Sequence, residues 1–310
     1  MNVIKNDVAN KIEYFNLFDF IDQIKLSPMV LEHMEETNKN FDAYFRKLAT
    51  YEDSFVLYFW ISKFYDEVKN SNSIEHHNIT NFDFSISNLF MDRLSISHNR
   101  IHNIHKFIMN DQKDSPKIGS YRKTPIRVSN VYDDTEEIFW YGAEPEDIKP
   151  FMDKFLEIYK SNSPSVLNSN PFLKSSLIHL LFLRIHPYFD GNGRTARTIH
   201  NIKFTESLNR IYGMNLKISP INISESININ KGGYIKAPDN IYFDLKHDNN
   251  KWINFWFNFM LSMYDEQLYK NKDIINNMDE LMEEISRTKE KMKPEVIEKV
   301  ENMHVRTLKK

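Results

Sequence analysis

"HPYFDGNGRTAR", His186–Arg197, decides how this sequence is read. The chain has only 7 glycines in 310 residues, and two of them, Gly191 and Gly193, flank Asn192 here. His186 and Asp190 stand before them, and Arg194 and Arg197 follow, three residues apart. The run interrupts helical patterning on both sides. Upstream, PFLKSSLIHLLFLRI (171–185) is a strongly apolar helix opened by proline. Downstream, TARTIHNIKFTESLNR regains helical character. The stretch is therefore a loop from the C-terminus of one helix to the N-terminus of the next.

Such a loop is chemically loaded. The second helix offers unpaired backbone N–H groups and the positive end of its dipole, which suits an anion. Gly191 and Gly193 allow backbone conformations closed to other residues and let a ligand approach the main chain. Arg194 and Arg197 share one face of the first helical turn, and two guanidinium groups there make a polyphosphate site. Asp190 suits Mg²⁺, which takes one carboxylate, phosphate oxygens and several waters. His186 ends the first helix, where a general base could serve a group attacking the phosphate. Together these parts equip a site for phosphoryl or nucleotidyl transfer. Singly, each has a plainer reading: Gly-Asn-Gly is a common turn, His186 a helix cap, and the arginines solvent-facing. Their joint occurrence in twelve residues favours the functional reading.

Composition sets wider bounds. Hydrophobic residues make up 41% and charged residues 27%, as in soluble globular proteins, and the length permits a sizeable core. A net charge of −3 exerts no global pull on nucleic acid or anionic membrane. With no cysteine, disulfides and thiolate metal sites are excluded. The N-terminus MNVIKNDVANKIEY lacks the apolar core of a signal peptide, and SFVLYFWISKFY and SLIHLLFLRI are too short and interrupted to span a bilayer. A cytoplasmic protein is expected. Low glycine and proline with abundant Leu, Ile, Phe, Lys and Glu predict a mostly α fold.

Working outward, helical spacing covers 12–68, and the polar stretch KNSNSIEHHNIT (69–80) interrupts it. Helical periodicity resumes over 87–109, and DQKDSPKIGS reads as a loop. Residues 121–141 carry β-branched and aromatic residues around VYDDTEE, which predicts a short hairpin. Helices follow from Pro145 to about Tyr159 and over 252–268. Beyond 266 a narrow apolar stripe at 274, 278, 281, 282 and 285 reads as a packed or dimerising appendage, so a homodimer is allowed. No helix-turn-helix argues for nucleic acid. His98, His102 and His105 share a helix face at metal-ligand spacing, but Ile101 and Ile104 between them favour structural histidines. His179 reads as a satisfied core histidine, and His76 and His77 as exposed polar residues.

The central stretch resembles the Fic family signature, His-Pro-Phe-x-(Asp/Glu)-Gly-Asn-Gly-Arg-x-x-Arg. Every defined position matches except Tyr188, which stands where phenylalanine is usual. GSYR (119–122) and HLLFLRIHP are similar to flanking family features. The resemblance spans about 85–262, which leaves an N-terminal helical region (1–84) and a helical tail (263–310). It implies protein AMPylation, transfer of AMP from ATP to a Ser, Thr or Tyr hydroxyl of a target protein. By that resemblance His186 would be the base and Asp190 would hold Mg²⁺. Asn192 and the loop amides, including those at Gly191 and Gly193, would stabilise the α-phosphate. Arg194 would contact the β-phosphate and Arg197 the γ-phosphate. The hairpin near 126–141 would be a flap that registers the target by strand addition. Tyr234, in GGYIKAP, is similar to the family's nucleoside-pocket segment. Gly193 argues against the Doc branch, where lysine replaces it and phosphorylation results.

SNSIE (71–75) is similar to the family's inhibitory pattern (Ser/Thr)-x-x-x-Glu-(Gly/Asn), with Ser71 and Glu75 fitting and His76 departing. Glu75 aimed at Arg197 would occupy the γ-phosphate position by a charge-assisted pair. The resemblance leaves open phosphocholine or UMP as the transferred group and removal of AMP rather than its addition. A reading from another class also stands: a nucleotide-binding, toxin-antitoxin-like regulator without transferase activity, against which intact His186 and Asp190 argue.

Overall fold

Helices built around the apolar segment 171–185 carry the molecule, and a small antiparallel sheet lies at the mouth of the loop that follows it. The computed structural model describes residues 2–3, 13–14, 17–75, 95–109, 117–132, 135–162, 165–213, 215–235, 237–238, 250–292, 294 and 297–298. In chain order come β1 (Asn2–Val3), β2 (Glu13–Tyr14), a 3₁₀ turn (Leu17–Gln23), α1 (Pro28–Leu48), α2 (Asp53–Ser73) and α3 (His98–Ile108). The hairpin β3 (Arg127–Tyr132) and β4 (Thr135–Tyr141) precedes α4 (Ile148–Lys160), α5 (Val166–Ser169), α6 (Pro171–Ile185) and α7 (Asn192–Tyr212). Then follow α8 (Ser224–Ile229), α9 (Lys251–Asn276) and α10 (Met278–Glu290).

Every residue of α6 is buried, as its apolar sequence requires. Asn170 accepts from Leu173 N at 3.0 Å and Pro171 sits at the first helical position, so the start is sharply fixed. α7 packs back along α6, with α4 and α9 on other sides. Trp256 on α9 donates to the Ser176 carbonyl at 3.0 Å, tying α9 to α6. α1 joins the outer face of α9 through His33 to Asp265 (2.9 Å) and Thr37 to Asp265 (3.0 Å).

Three expectations are corrected. KNSNS does not end a helix: α2 runs through it to Ser73. Asn70 and Asn72 donate to the carbonyls four residues back, of Asp66 and Val68, and Ser71 and Asn72 are buried against the core. Tertiary burial overrides their local preference for turns. The helix expected from Pro145 begins at Ile148, after a turn. α9 continues to Asn276, past the expected end at 268, so the boundary drawn after 262 falls inside an unbroken helix. The tail takes the packed form of the two expected: α10 lies on α2, where Glu284 accepts from Ser62 and pairs with Lys63 at 3.3 Å. Lys289 sits over the Tyr58 ring.

The hairpin forms as expected, with a register irregularity at Val128/Ser129, in a sheet ordered β2-β1-β4-β3. Residues 87–94, His76 and His77 lie outside the described residues. Among the described residues no helix is long and apolar enough to cross a membrane.

Candidate active site

The loop between α6 and α7 is held by its ends. His186 terminates α6 in a left-handed conformation (φ 51°), and Gly191 starts α7 in another (φ 73°). At Gly191 a side chain would be strained by that φ and would also run into Met109 Sδ at 2.6 Å. Between them Asn192 closes the turn: Tyr188 N donates to its Oδ1 at 2.9 Å and its Nδ2 donates to Tyr188 O at 2.8 Å. The Asn192 side chain thus braces the turn through both its oxygen and its nitrogen.

Neighbouring elements brace the loop further. Arg122 of GSYR donates from Nε to His186 O (2.8 Å) and from Nη1 to Thr124 O (2.7 Å), and its own N–H bonds Pro187 O (2.9 Å). The hairpin's end is tied in by Ala143 N to Ile185 O at 3.0 Å, which sets the sheet beside His186. His105 links two segments: Gly119 N donates to its Nδ1 (2.9 Å), so its Nε2–H donates to Asp190 O (2.9 Å). Its ring stacks on Tyr188 at 3.7 Å. His102 Nδ1 meets the Tyr188 hydroxyl at 2.8 Å. That contact explains how tyrosine is accommodated where the resemblance expects phenylalanine: the buried hydroxyl has a partner. His98 binds Tyr121 (2.7 Å) and Asp153 (2.7 Å). The three histidines thus act structurally, each toward a different partner, and among the described residues none gathers with acidic residues into a metal cluster.

His186 Nδ1 lies 3.2 Å from Leu183 O and donates to it, so Nε2 carries the lone pair. Desolvation lowers its pKa to about 3, with Arg122 and Arg184 adding to the fall and Leu183 and Asp190 opposing it. The imidazole is neutral at ordinary pH, as a base must be. The Asp190 side chain is half exposed; its Oδ1 accepts from Gly191 N at 2.6 Å and its Oδ2 stands 3.7 Å from Arg194. One accessible carboxylate, in no cluster of three or more metal-ligating side chains among the described residues, fits an ion that draws its other ligands from phosphate and water.

The arginine side is buried and filled. Arg194 and Arg197 are each about 2% exposed or less. Arg197 Nη2 donates to Glu75 Oε1 (2.7 Å) and Ser71 O (2.7 Å), and its Nε donates to Ser71 Oγ (2.8 Å). Glu75 also takes Arg194 Nε at 3.1 Å, and Asn72 Oδ1 accepts from Arg194 Nη1 at 3.4 Å. One carboxylate therefore spans both guanidinium groups, where the sequence predicted a single pair. It lies so close to Gly193 that any β-carbon there would overlap it. α2 is itself anchored by Glu67, which accepts from Asn201 Nδ2 (2.9 Å), Ser224 N (2.8 Å) and Ser224 Oγ (2.6 Å). Burial raises the Glu67 pKa. Tyr234 is 5% exposed; its hydroxyl faces Arg197 Nη1 (3.3 Å) and His179 Nε2 (2.8 Å), behind the arginine.

Asn72, Glu67, Arg122, His102 and His105 had no assigned role in the sequence reading. Arg122 and the histidines stood inside stretches already singled out. Asn72 and Glu67 carried no local signal, because their partners lie more than a hundred residues away.

The helical fold thus delivers a neutral histidine, an accessible carboxylate and two buried arginines to one helix N-terminus. Residues 95–202 match the model of the Fic/DOC family. The chain is 29% identical over 138 residues to "Protein adenylyltransferase Fic" of Nematostella vectensis, a match covering 43% of this chain and 30% of that relative. It thus spans less than a third of the relative's length. A Fic family protein from Desulfovibrio desulfuricans G20 superposes with a TM-score of 0.53 at 12% identity, covering 85% of this chain and 86% of that one. That likeness shows the fold. A Fic domain containing signaling protein from Bacteroides thetaiotaomicron gives a TM-score of 0.48 at 17% identity, over 84% of this chain and 99% of the other.

Proposed function

We propose that this chain is a protein adenylyltransferase held in check by its own Glu75, just past the end of α2. The observation that carries the reading is the Glu75 carboxylate bridging Arg194 and Arg197 at the N-terminus of α7. Two buried guanidinium groups at a helix N-terminus suit a polyphosphate, and a carboxylate is the natural stand-in when none is bound. In the open state Arg194 and Arg197 take the β- and γ-phosphates of ATP, and the loop amides face the α-phosphate. His186 Nε2 removes the proton from a target hydroxyl. The hydroxyl oxygen bonds to the α-phosphorus, the bond from that phosphorus to the bridging oxygen breaks, and pyrophosphate leaves. Asp190 would hold Mg²⁺, which supplies charge neutralisation on the phosphates. The hairpin beside His186 would pair with the target segment.

The test compares wild type with Glu75→Gly, each incubated with labelled ATP, Mg²⁺ and a cell lysate. Wild type is expected to label little protein and Glu75→Gly much more. Equal labelling across several lysates would remove the inhibitory role. Loss of AMP from pre-modified proteins, in place of labelling, would favour the reverse reaction at the same site.

A further inference from the structure

Among the described residues Arg197 has four hydrogen-bonding partners: Ser71 O and Ser71 Oγ from α2, and Glu75 Oε1 from the turn that follows it, make three of them. The fourth, the Tyr234 hydroxyl, belongs to the turn of helix at 231–235, on the other side of the guanidinium. Tyr234 is itself fixed. Its hydroxyl meets His179 Nε2 at 2.8 Å, and its ring is flanked by His179 and Trp256 at 5.6 and 6.2 Å between centroids. His179 is on α6, fully buried, and its ring stands edge-on to Trp256 and His200.

Donors and acceptors give this chain a direction. Arg197 can only donate, so the phenol oxygen accepts from it. The phenol proton then points to His179 Nε2, which must be the bare nitrogen. That assigns the proton to Nδ1, an atom with no hydrogen-bond partner among the described residues. A buried polar atom left without a partner is costly. Leucine or phenylalanine at 179 would avoid that cost in this apolar helix.

We propose that Tyr234 and His179 are positioning residues that fix the Arg197 guanidinium for the γ-phosphate once Glu75 has withdrawn. The inference rests on the reading of Arg197 as the γ-phosphate contact. It assigns Tyr234 to the back of an arginine and not to a nucleoside pocket. Its consequence is discrimination: a tether on Arg197 matters to ATP and is irrelevant to ADP, which has no γ-phosphate.

The test measures ATP and ADP affinity by calorimetry in the Glu75→Gly background, with thermal unfolding run in parallel. Tyr234→Phe keeps the ring and removes the hydroxyl. It is expected to weaken ATP about three- to tenfold, the worth of one hydrogen bond, and to leave ADP unchanged. His179→Phe removes only the far acceptor and should move ATP in the same direction by less. Equal weakening of both nucleotides, or no change for ATP, would overturn the inference. If Tyr234→Phe unfolds, His179→Phe alone decides the matter by the same ATP-to-ADP ratio. Arg197→Ala in the same background separates the two layers. If it fails to erase the preference for ATP, the γ-phosphate reading itself falls; if it erases it while Tyr234→Phe does nothing, only the relay falls.

Discussion

The two sides of one loop are in opposite states. On the His186–Asp190 side the side chains are partly exposed, the imidazole is neutral, and backbone bonds from Arg122, His105 and Asn192 hold the geometry. On the Arg194–Arg197 side both cations are buried and already satisfied by Glu75, Ser71 and Asn72. On the proposed reading the difference means that inhibition would leave the chemical groups intact and withhold only the phosphate anchors. A restraint of that kind is reversible by moving one carboxylate.

The largest expected effect breaks the first side alone. In the Glu75→Gly background, His186→Ala should lower transfer by roughly 10²- to 10⁴-fold, the usual worth of a positioned base. ATP binding should persist, since the anchors are elsewhere. Retained transfer, measured with labelled ATP, would mean that His186 is not the base.

Next in size is the second side. Glu75→Gly should raise labelling by about ten- to a hundredfold, the equivalent of one charge-assisted pair. Arg197→Ala should not, because it removes the clamp and the ligand together. A gain in Arg197→Ala matching that of Glu75→Gly would collapse the distinction between the two sides.

Acid should weaken both sides through their buried supports. His105 beneath Asp190 and His200, whose ring stands edge-on to His179 behind Tyr234, are held by desolvation at about 4 and about 3, below the usual 6.5. The unfolded chain takes up those protons first, so stability is full above pH 6.5 and falls as pH drops toward the folded values. Each histidine contributes about 1.4 kcal/mol of loss per pH unit in that window. Denaturant midpoints at pH 7 and pH 5 would show it, and no change in His200→Phe relative to wild type would count against that histidine's share.

The smallest effect tests the brace of the loop. Tyr188→Phe restores the residue the family pattern expects but strands His102 Nδ1, which now faces the hydroxyl. A loss of about 1 kcal/mol is expected in thermal unfolding, with transfer little altered. The pair change Tyr188→Phe with His102→Leu should recover most of it.

Much of this was readable in the sequence. The loop, the apolar α6 and the hairpin follow from local signals: proline at Pro171, glycines at 191 and 193, and β-branched runs around a turn. What stayed hidden depended on distance. The continuation of α2 through KNSNS could not be seen, because asparagine and serine read as breakers until their burial is known. The bridging of both arginines by Glu75 was half legible. The motif named one partner, and only the fold brings Arg194 within 3.1 Å. The Tyr234 hydroxyl contacts with Arg197 and His179 were not legible, since those partners lie 37 and 55 residues back.

Glu75 sits two residues beyond Ser73, where α2 ends, while Glu67 pins the helix two turns earlier. Freeing the arginines therefore asks for fraying of a last turn and not for departure of a helix. Fraying of that kind runs on the scale of microseconds or faster, against turnovers of milliseconds to seconds. Restraint then works as a rapid pre-equilibrium. Time courses of the wild type should start without a lag, at a reduced slope. Because the carboxylate and the triphosphate contend for the same guanidinium groups, that slope should climb toward the Glu75→Gly level as ATP is raised.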